Sequence, residues 1–515
     1  MRNKKKNKIQ DKTALRREET QKRLDAMKTK DGGKKPIRTG SRLGRILFPV
    51  TVVVLVLVLI TWIVFATGVP QKIAKPLTIG EYKVGTVEYN YYYANNLGQF
   101  SSMGLIPQTA SGRLDLSQKA AFSEEDETWG DVIARMTRET LQETYMRVDQ
   151  AKKHNIELNA ENQKLIEDAV AKTLEQSGGE VKANNLLVDQ YGPGADIHLL
   201  KEIMGRALLS TQFAQDYPQS FEISADEIET YYKEHTDDFD TVSFRSYVFR
   251  LPQTEEGEEA PSEEKKAELL TELKERAEDM LQQVTDEESF VRLLPDYVPE
   301  SEQDQYTEEP DRTLQTIKKS GFADTDLRDW MFDGERGTGD KTLLEGSNQT
   351  FTIAYFISRQ QNEVHLPTVH HILFEADRET ASDEEKAAAR AQAEETLKKI
   401  SSAEDMETIG NQLVEAGEAK ESNRFEDVTY GRMVEEFNDW IFDPERESGD
   451  TAVVETKFGY HVMYFEHFAE DPVWYQDVDK ELREQQFQKE MDELKASDDY
   501  KESEDSFGMK YVKEY

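Results

Sequence analysis

The sequence predicts an α+β protein with a single N-terminal transmembrane helix, a mainly helical domain behind it, and two tandem copies of one α+β module. Three observations carry this prediction. Ile46–Ala66 is an uncharged apolar run of 21 residues, helical periodicity runs from Trp129 to about Gln215, and short motifs repeat at an offset of 110 residues in the C-terminal half.

A chain of 515 residues has room for several domains. Its net charge of -39 is unevenly spread, because residues 1–45 hold 17 Lys/Arg against 5 Asp/Glu. A basic head before an acidic body points to two compartments. The run ILFPVTVVVLVLVLITWIVFA at 46–66 spans roughly 32 Å as a helix, enough for a hydrocarbon core. Pro49 falls in its first turn, where a missing N–H is harmless. Arg42 and Arg45 abut it, so the positive-inside rule predicts a single-pass cell-membrane protein with a cytoplasmic N-terminus and an extracytoplasmic body. A signal peptide cleaved after Ala66 is the rival reading. Without cysteine, disulfides and cysteine-linked lipids are excluded. The Lys-rich tail 1–45 is expected to be disordered and to touch an anionic membrane surface. No nucleic-acid partner is implied.

Beyond the anchor, residues 67–80 read as a spacer containing Gly68, Pro70, Pro76 and Gly80. Residues 81–240 read as a helical domain. Tyr89, Tyr91, Tyr92 and Tyr93 either line a peptide groove or pack a helix. Ile133, Met136, Leu141, Tyr145 and Val148 carry a helical stripe, a further helix covers Ile197–Phe213, and Ser224-Ala225-Asp226-Glu227 is a capping box. Near the end, 473–496 reads as an amphipathic helix and 497–515 as an acidic flexible tail.

The repeat lies between these parts. Asp329-Trp330-Met331-Phe332-Asp333 matches Asp439-Trp440-Ile441-Phe442-Asp443, and Gly339-Asp340 matches Gly449-Asp450. Residues 241–361 and 366–469 therefore read as two copies. In the second, alternation at Val369/His371/Leu373 and Tyr460/Val462/Tyr464 predicts strands. His371 and His461 then lie on strands near the two ends of one module. A zinc site lacks a third ligand at suitable spacing, and there is no cysteine or G-x-S-x-G nucleophile. Two readings stay open: a structural histidine pair, or histidines beneath a small apolar pocket lined by Met433 and Phe437, four apart on one helical face. Such a pocket suits a proline ring.

The strand with His371-Ile372-Leu373-Phe374, the Gly431-x-Met433-x-x-x-Phe437 element and Phe458-Gly459-Tyr460-His461 resemble a parvulin-type peptidyl-prolyl cis/trans isomerase. In organisation, residues 80–496 resemble the PrsA-like extracytoplasmic foldases of Gram-positive bacteria and, more loosely, SurA-type chaperones. The resemblance implies isomerase activity toward X–Pro bonds of unfolded or partly folded exported polypeptides, with no cofactor and no metal. A non-catalytic chaperone scaffold is the alternative it leaves. It places the paired histidines at His371 and His461, and the proline pocket at Met433 and Phe437 with Phe425 nearby. Phe458 follows as a further site aromatic. The acidic role opposite the substrate bond falls on Glu415 or Glu418. In the first copy Ser246 and Thr352 replace the histidines, and Ala323 and Leu327 stand where Met433 and Phe437 do. That copy is expected to be a degenerate module, keeping the fold without the site.

Overall fold

The computed structural model describes Lys22 and residues 68–513, apart from 122, 124–125, 252–260 and 347–348. Ile46–Ala66 and the basic tail around Lys22 fall outside the described residues. Among the described residues no helix is long and apolar enough to cross a membrane. The expected single-pass topology, with a cytoplasmic head and an extracytoplasmic body, is corrected to this extent: no described helix supplies the span.

The chain forms two compact units, one running to Phe213 and resumed from Leu494 onward, the other Ala214–Glu493. In the first unit the expected spacer is structured. A helix Val69–Ile73 leads into β1 (Leu77–Ile79), which pairs antiparallel with β2 (Tyr82–Val84) and, on its other edge, with the strand Glu502–Glu504. The expected flexible tail is thus a sheet strand. It is also tied to the helix Trp129–Lys153: Gln142 Nε2 donates to Tyr500 O at 2.9 Å, and the Tyr500 hydroxyl donates to Asp149. That helix starts at a Thr128–Asp131 capping box, which satisfies orphan N–H groups at its N-terminus. The tyrosine-rich segment is a helix, Thr86–Ser102, whose Tyr89 and Tyr92 are core residues rather than a groove lining.

Two four-stranded antiparallel sheets dominate the second unit. Its first sheet has the order β4-β3-β6-β5, with β3 Thr241–Phe249, β4 Leu314–Lys318, β5 Lys341–Gly346 and β6 Thr350–Gln360. The second has the order β8-β7-β10-β9, with β7 Pro367–Glu375, β8 Glu421–Phe425, β9 Thr451–Thr456 and β10 Gly459–Phe468. Because side chains alternate along a strand, β7 and β10 divide their residues between two faces. Ile372, Phe374, Tyr460 and Val462 meet Ala389 and Ala393 of helix Asp383–Leu397 and Met406 of helix Ala403–Glu415. Val369, Met463 and Phe465 meet Phe437 and Ile441 of helix Glu435–Ile441 on the other face.

Small residues set the close approaches. Gly410 lies where a Cβ would come within 2.0 Å of Ser422 Oγ, so its helix can lie directly on β8. Gly459, at φ 139°, opens β10 where a Cβ would stand 2.3 Å from Phe374 O. That glycine allows the hairpin to bring β10 against the end of β7. The rest of the unit includes helix Ala225–Glu234, capped by Ser224 and Glu227, whose Ile228 packs with Phe239 and with Val478 of helix Val473–Lys495.

Candidate active site

His371 on β7 and His461 on β10 sit in the two central strands of the second sheet. The register pairs His371 with Met463 and Leu373 with His461, which makes the histidines diagonal neighbours on one face. Their rings are 28° from parallel with centroids 5.2 Å apart, and the two Nδ1 atoms are 3.0 Å apart. Beyond His461, Nε2 lies 2.9 Å from Thr456 Oγ1, and that hydroxyl accepts the Phe458 N–H at 3.2 Å.

These contacts give a consistent proton placement, assigned by satisfying the network. The buried Thr456 hydroxyl donates its hydrogen to His461 Nε2. His461 then carries its proton on Nδ1 and donates to His371 Nδ1, which leaves the His371 proton on Nε2. That atom is buried and has no hydrogen-bond partner among the described residues. Glu421 Oε1 stands 3.8 Å from it, too far for a hydrogen bond. Both rings are neutral near pH 7. Burial, reinforced by His461 and His370, pushes His371 down to about 3, and burial pushes His461 down to about 4. His370 faces the other side of the sheet, where its Nε2 is 2.7 Å from Glu466.

An aromatic cradle surrounds the pair. Phe425 stacks on His371 with centroids 5.1 Å apart and 20° between planes. Phe437 stands nearly perpendicular to both rings, with centroids 5.6 Å from His371 and 5.5 Å from His461. Met433 packs at the margin of the same cluster, half-buried. The expectation that Met433 and Phe437 share a helical face is corrected here. The helix begins at Glu435 with Val434 as its cap, so Met433 precedes it and only Phe437 is helical. The corner is held by Asn438 Nδ2, which donates to Met433 O at 2.5 Å. Phe458 lies in the turn leading to β10, 48% exposed.

The expected acidic residues are placed elsewhere. Glu415 ends helix Ala403–Glu415 and Glu418 lies in the following turn, both exposed and neither in a described contact with the histidines. Glu421 and Thr456 hold the positions next to the pair, and sequence reasoning missed both. Thr456 had a readable signal, standing five residues before His461 at a hairpin end. Glu421 had little, because Glu-Ser-Asn-Arg is a poor strand sequence and its alternation with Phe425 shows only once β8 is paired.

Residues 371–467 match the Rotamase family model, described as a PPIC-type PPIASE domain. No curated protein matches the chain. Among solved structures, one similar chain comes from a study of PEB4 and Cj1289, two structurally related SurA-like chaperones of Campylobacter jejuni. It shares 10% identity, with 68% of this chain and 98% of that chain covered, at a TM-score of 0.17. The family match lies within one of the two expected modules. The expectation of two tandem modules of this family is corrected accordingly: residues 241–361 share the strand order, but the match marks 371–467.

Proposed function

We propose that this chain is a protein-folding factor whose residues 371–467 catalyse cis/trans isomerisation of X–Pro bonds in unfolded or partly folded polypeptides. One observation carries the reading most: a neutral histidine pair roofed by Phe425 and Phe437, within the residues that match the PPIC-type family. Isomerisation is slow because amide resonance must be broken, with a barrier near ~20 kcal/mol. The twisted transition state separates less charge than the planar amide, so an apolar cradle that excludes water favours it. In this proposal Phe437, Phe425 and Met433 hold the proline ring. His371, His461 and Thr456 keep the cradle's floor in one shape through their hydrogen bonds. No nucleophile, metal or cofactor enters.

The helical residues 81–240 and the helix within 473–496 are proposed to shield clients. A second reading, a scaffold without catalysis, draws on the loop before Phe425. Its Glu415 and Glu418, the acidic residues expected opposite the substrate bond, are exposed and in no described contact with the histidines. Turnover of an X–Pro peptide by the full chain, beside His461→Ala, separates the two. Catalysis that weakens in the folded variant supports the isomerase. A wild type without catalysis that still suppresses client aggregation establishes the scaffold instead.

A further inference from the structure

We infer that Glu421 is a specificity-determining residue that recruits a lysine or arginine within two residues of the target proline; this rests on the isomerase reading above. Glu421, Asn423 and Phe425 alternate along β8, and the register places Glu421 beside Leu373 and Phe425 beside Val369. Val369 belongs to the cradle's apolar cluster, so this alternating row faces the cradle. Four residues of strand separate Glu421 from Phe425 by about 13 Å. A peptide with its proline under Phe425 covers that distance with one or two extended residues and the stem of a lysine or arginine.

Charge bookkeeping around the site leaves this carboxylate open. Lys420 pairs with Glu375 at 3.2 Å, Arg378 with Glu436 at 2.8 Å, and Arg424 with Glu466 at 2.8 Å and with Glu426. Among the described residues no lysine or arginine pairs with Glu421. Its single described neighbour of basic type is His371 at 3.8 Å, whose ring is neutral and 2% exposed. Among the described residues the rim therefore presents a carboxylate with no lysine or arginine partner, beside a buried imidazole nitrogen with no hydrogen-bond partner. A peptide's ammonium or guanidinium reaches the partly exposed Glu421 carboxylate from solvent, while the buried His371 ring stays covered. An acidic residue at the same place meets the carboxylate and is repelled.

The test uses the full chain and three X–Pro peptides that differ only beside the proline, carrying Lys, Ala or Glu. Turnover and binding are both measured, binding by calorimetric titration of the same peptides. In wild type the Lys peptide is expected to exceed the Glu peptide about fivefold, mostly through KM, with the ratio shrinking as salt rises past about 0.1 M. Glu421→Gln brings the ratio near one and Glu421→Lys inverts it, with circular dichroism confirming that both fold. A Lys-over-Glu ratio that survives Glu421→Gln overturns the inference, as does a wild type without preference. Absence of turnover with preferential, Glu421-dependent binding removes the isomerase reading and keeps the recruitment. Absence of binding to any of the three removes the recruitment.

Discussion

Residues 241–361 and 366–469 are built on the same strand order, and their likeness extends to atoms. In each, an arginine lies over a tryptophan and donates from Nε to that tryptophan's carbonyl at 3.1 Å: Arg336 on Trp330 and Arg446 on Trp440. Each arginine also pairs with two aspartates, Asp333 and Asp340 or Asp443 and Asp450. A left-handed glycine, Gly339 or Gly449, then hands the chain to the sheet. The registers correspond too, since Ser246 opposes Ala354 as His371 opposes Met463, and Val248 opposes Thr352 as Leu373 opposes His461.

What differs is the face that holds the histidines. Gln315 donates to Ser246 Oγ at 2.9 Å in the first region, at the place where Phe425 stacks on His371 in the second. Scaffold and site are therefore separable. The scaffold residues answer to backbone geometry and core volume, which both regions share. The site residues answer to what must be held beneath Phe437, which the first region does not have.

The largest effect should come from Gly459→Ala. A φ of 139° and a Cβ 2.3 Å from Phe374 O together predict a loss of about 2–3 kcal/mol in denaturant unfolding of the second unit. Thr350, the strand residue at the corresponding place in the first region, should tolerate Thr350→Ala far better. Equal losses would erase this difference between the hairpins.

Phe437→Ala comes next. Burying an aromatic side chain is worth about 1.5–3 kcal/mol, so losing part of that in the transition state predicts a drop of roughly tenfold or more in X–Pro turnover. Leu327→Ala, at the matching place in the first region, should leave turnover as it was. A folded Phe437→Ala chain as fast as wild type would remove the proline-pocket assignment.

Arg336→Ala and Arg446→Ala sharpen the scaffold half of the comparison. Each loses a ring contact and partly exposed ion pairs, predicting about 1–2 kcal/mol apiece and similar to one another. A large inequality in chemical denaturation would show that the likeness is geometric rather than energetic. Met433→Ala should cost only about threefold in turnover, because a flexible thioether at the margin is more easily replaced by neighbours or water.

The smallest effect is that of pH. With His371 near 3 and His461 near 4, turnover should be flat between about pH 6.5 and 8. Stability has a definite sign. Both folded values lie below the unfolded histidine value of about 6.5, so the unfolded chain binds protons first as pH falls, and stability declines below about 6.5. Between about pH 6.5 and 5, before most carboxylates titrate, a melting series should show this decline in wild type and a shallower one in a folded His371→Gln/His461→Gln chain. A wild-type melting temperature that is unchanged over that interval would contradict the buried, neutral assignment.

Much of the candidate site was legible in the sequence because its residues stand in regular elements or in short, distinctive strings. Strand alternation indicated that His371 and His461 lie on strands, and the Gly-x-Met-x-x-x-Phe string singled out Met433 and Phe437. Capping chemistry marked a helix start at Ser224, where a side-chain oxygen meets the N–H group three residues on. These signals are local, so one stretch of chain suffices to express them. The tertiary structure decided what depends on distant partners. Glu502–Glu504 became a strand because β1 offers it an edge, although its own residues are poor strand formers. Glu421 came to the histidines because β8 pairs with β7 in one register, and shifting that register by one residue would turn it to the other face. The direction of the proton chain from Thr456 to His371 exists only once three side chains from three strands are brought within hydrogen-bond reach.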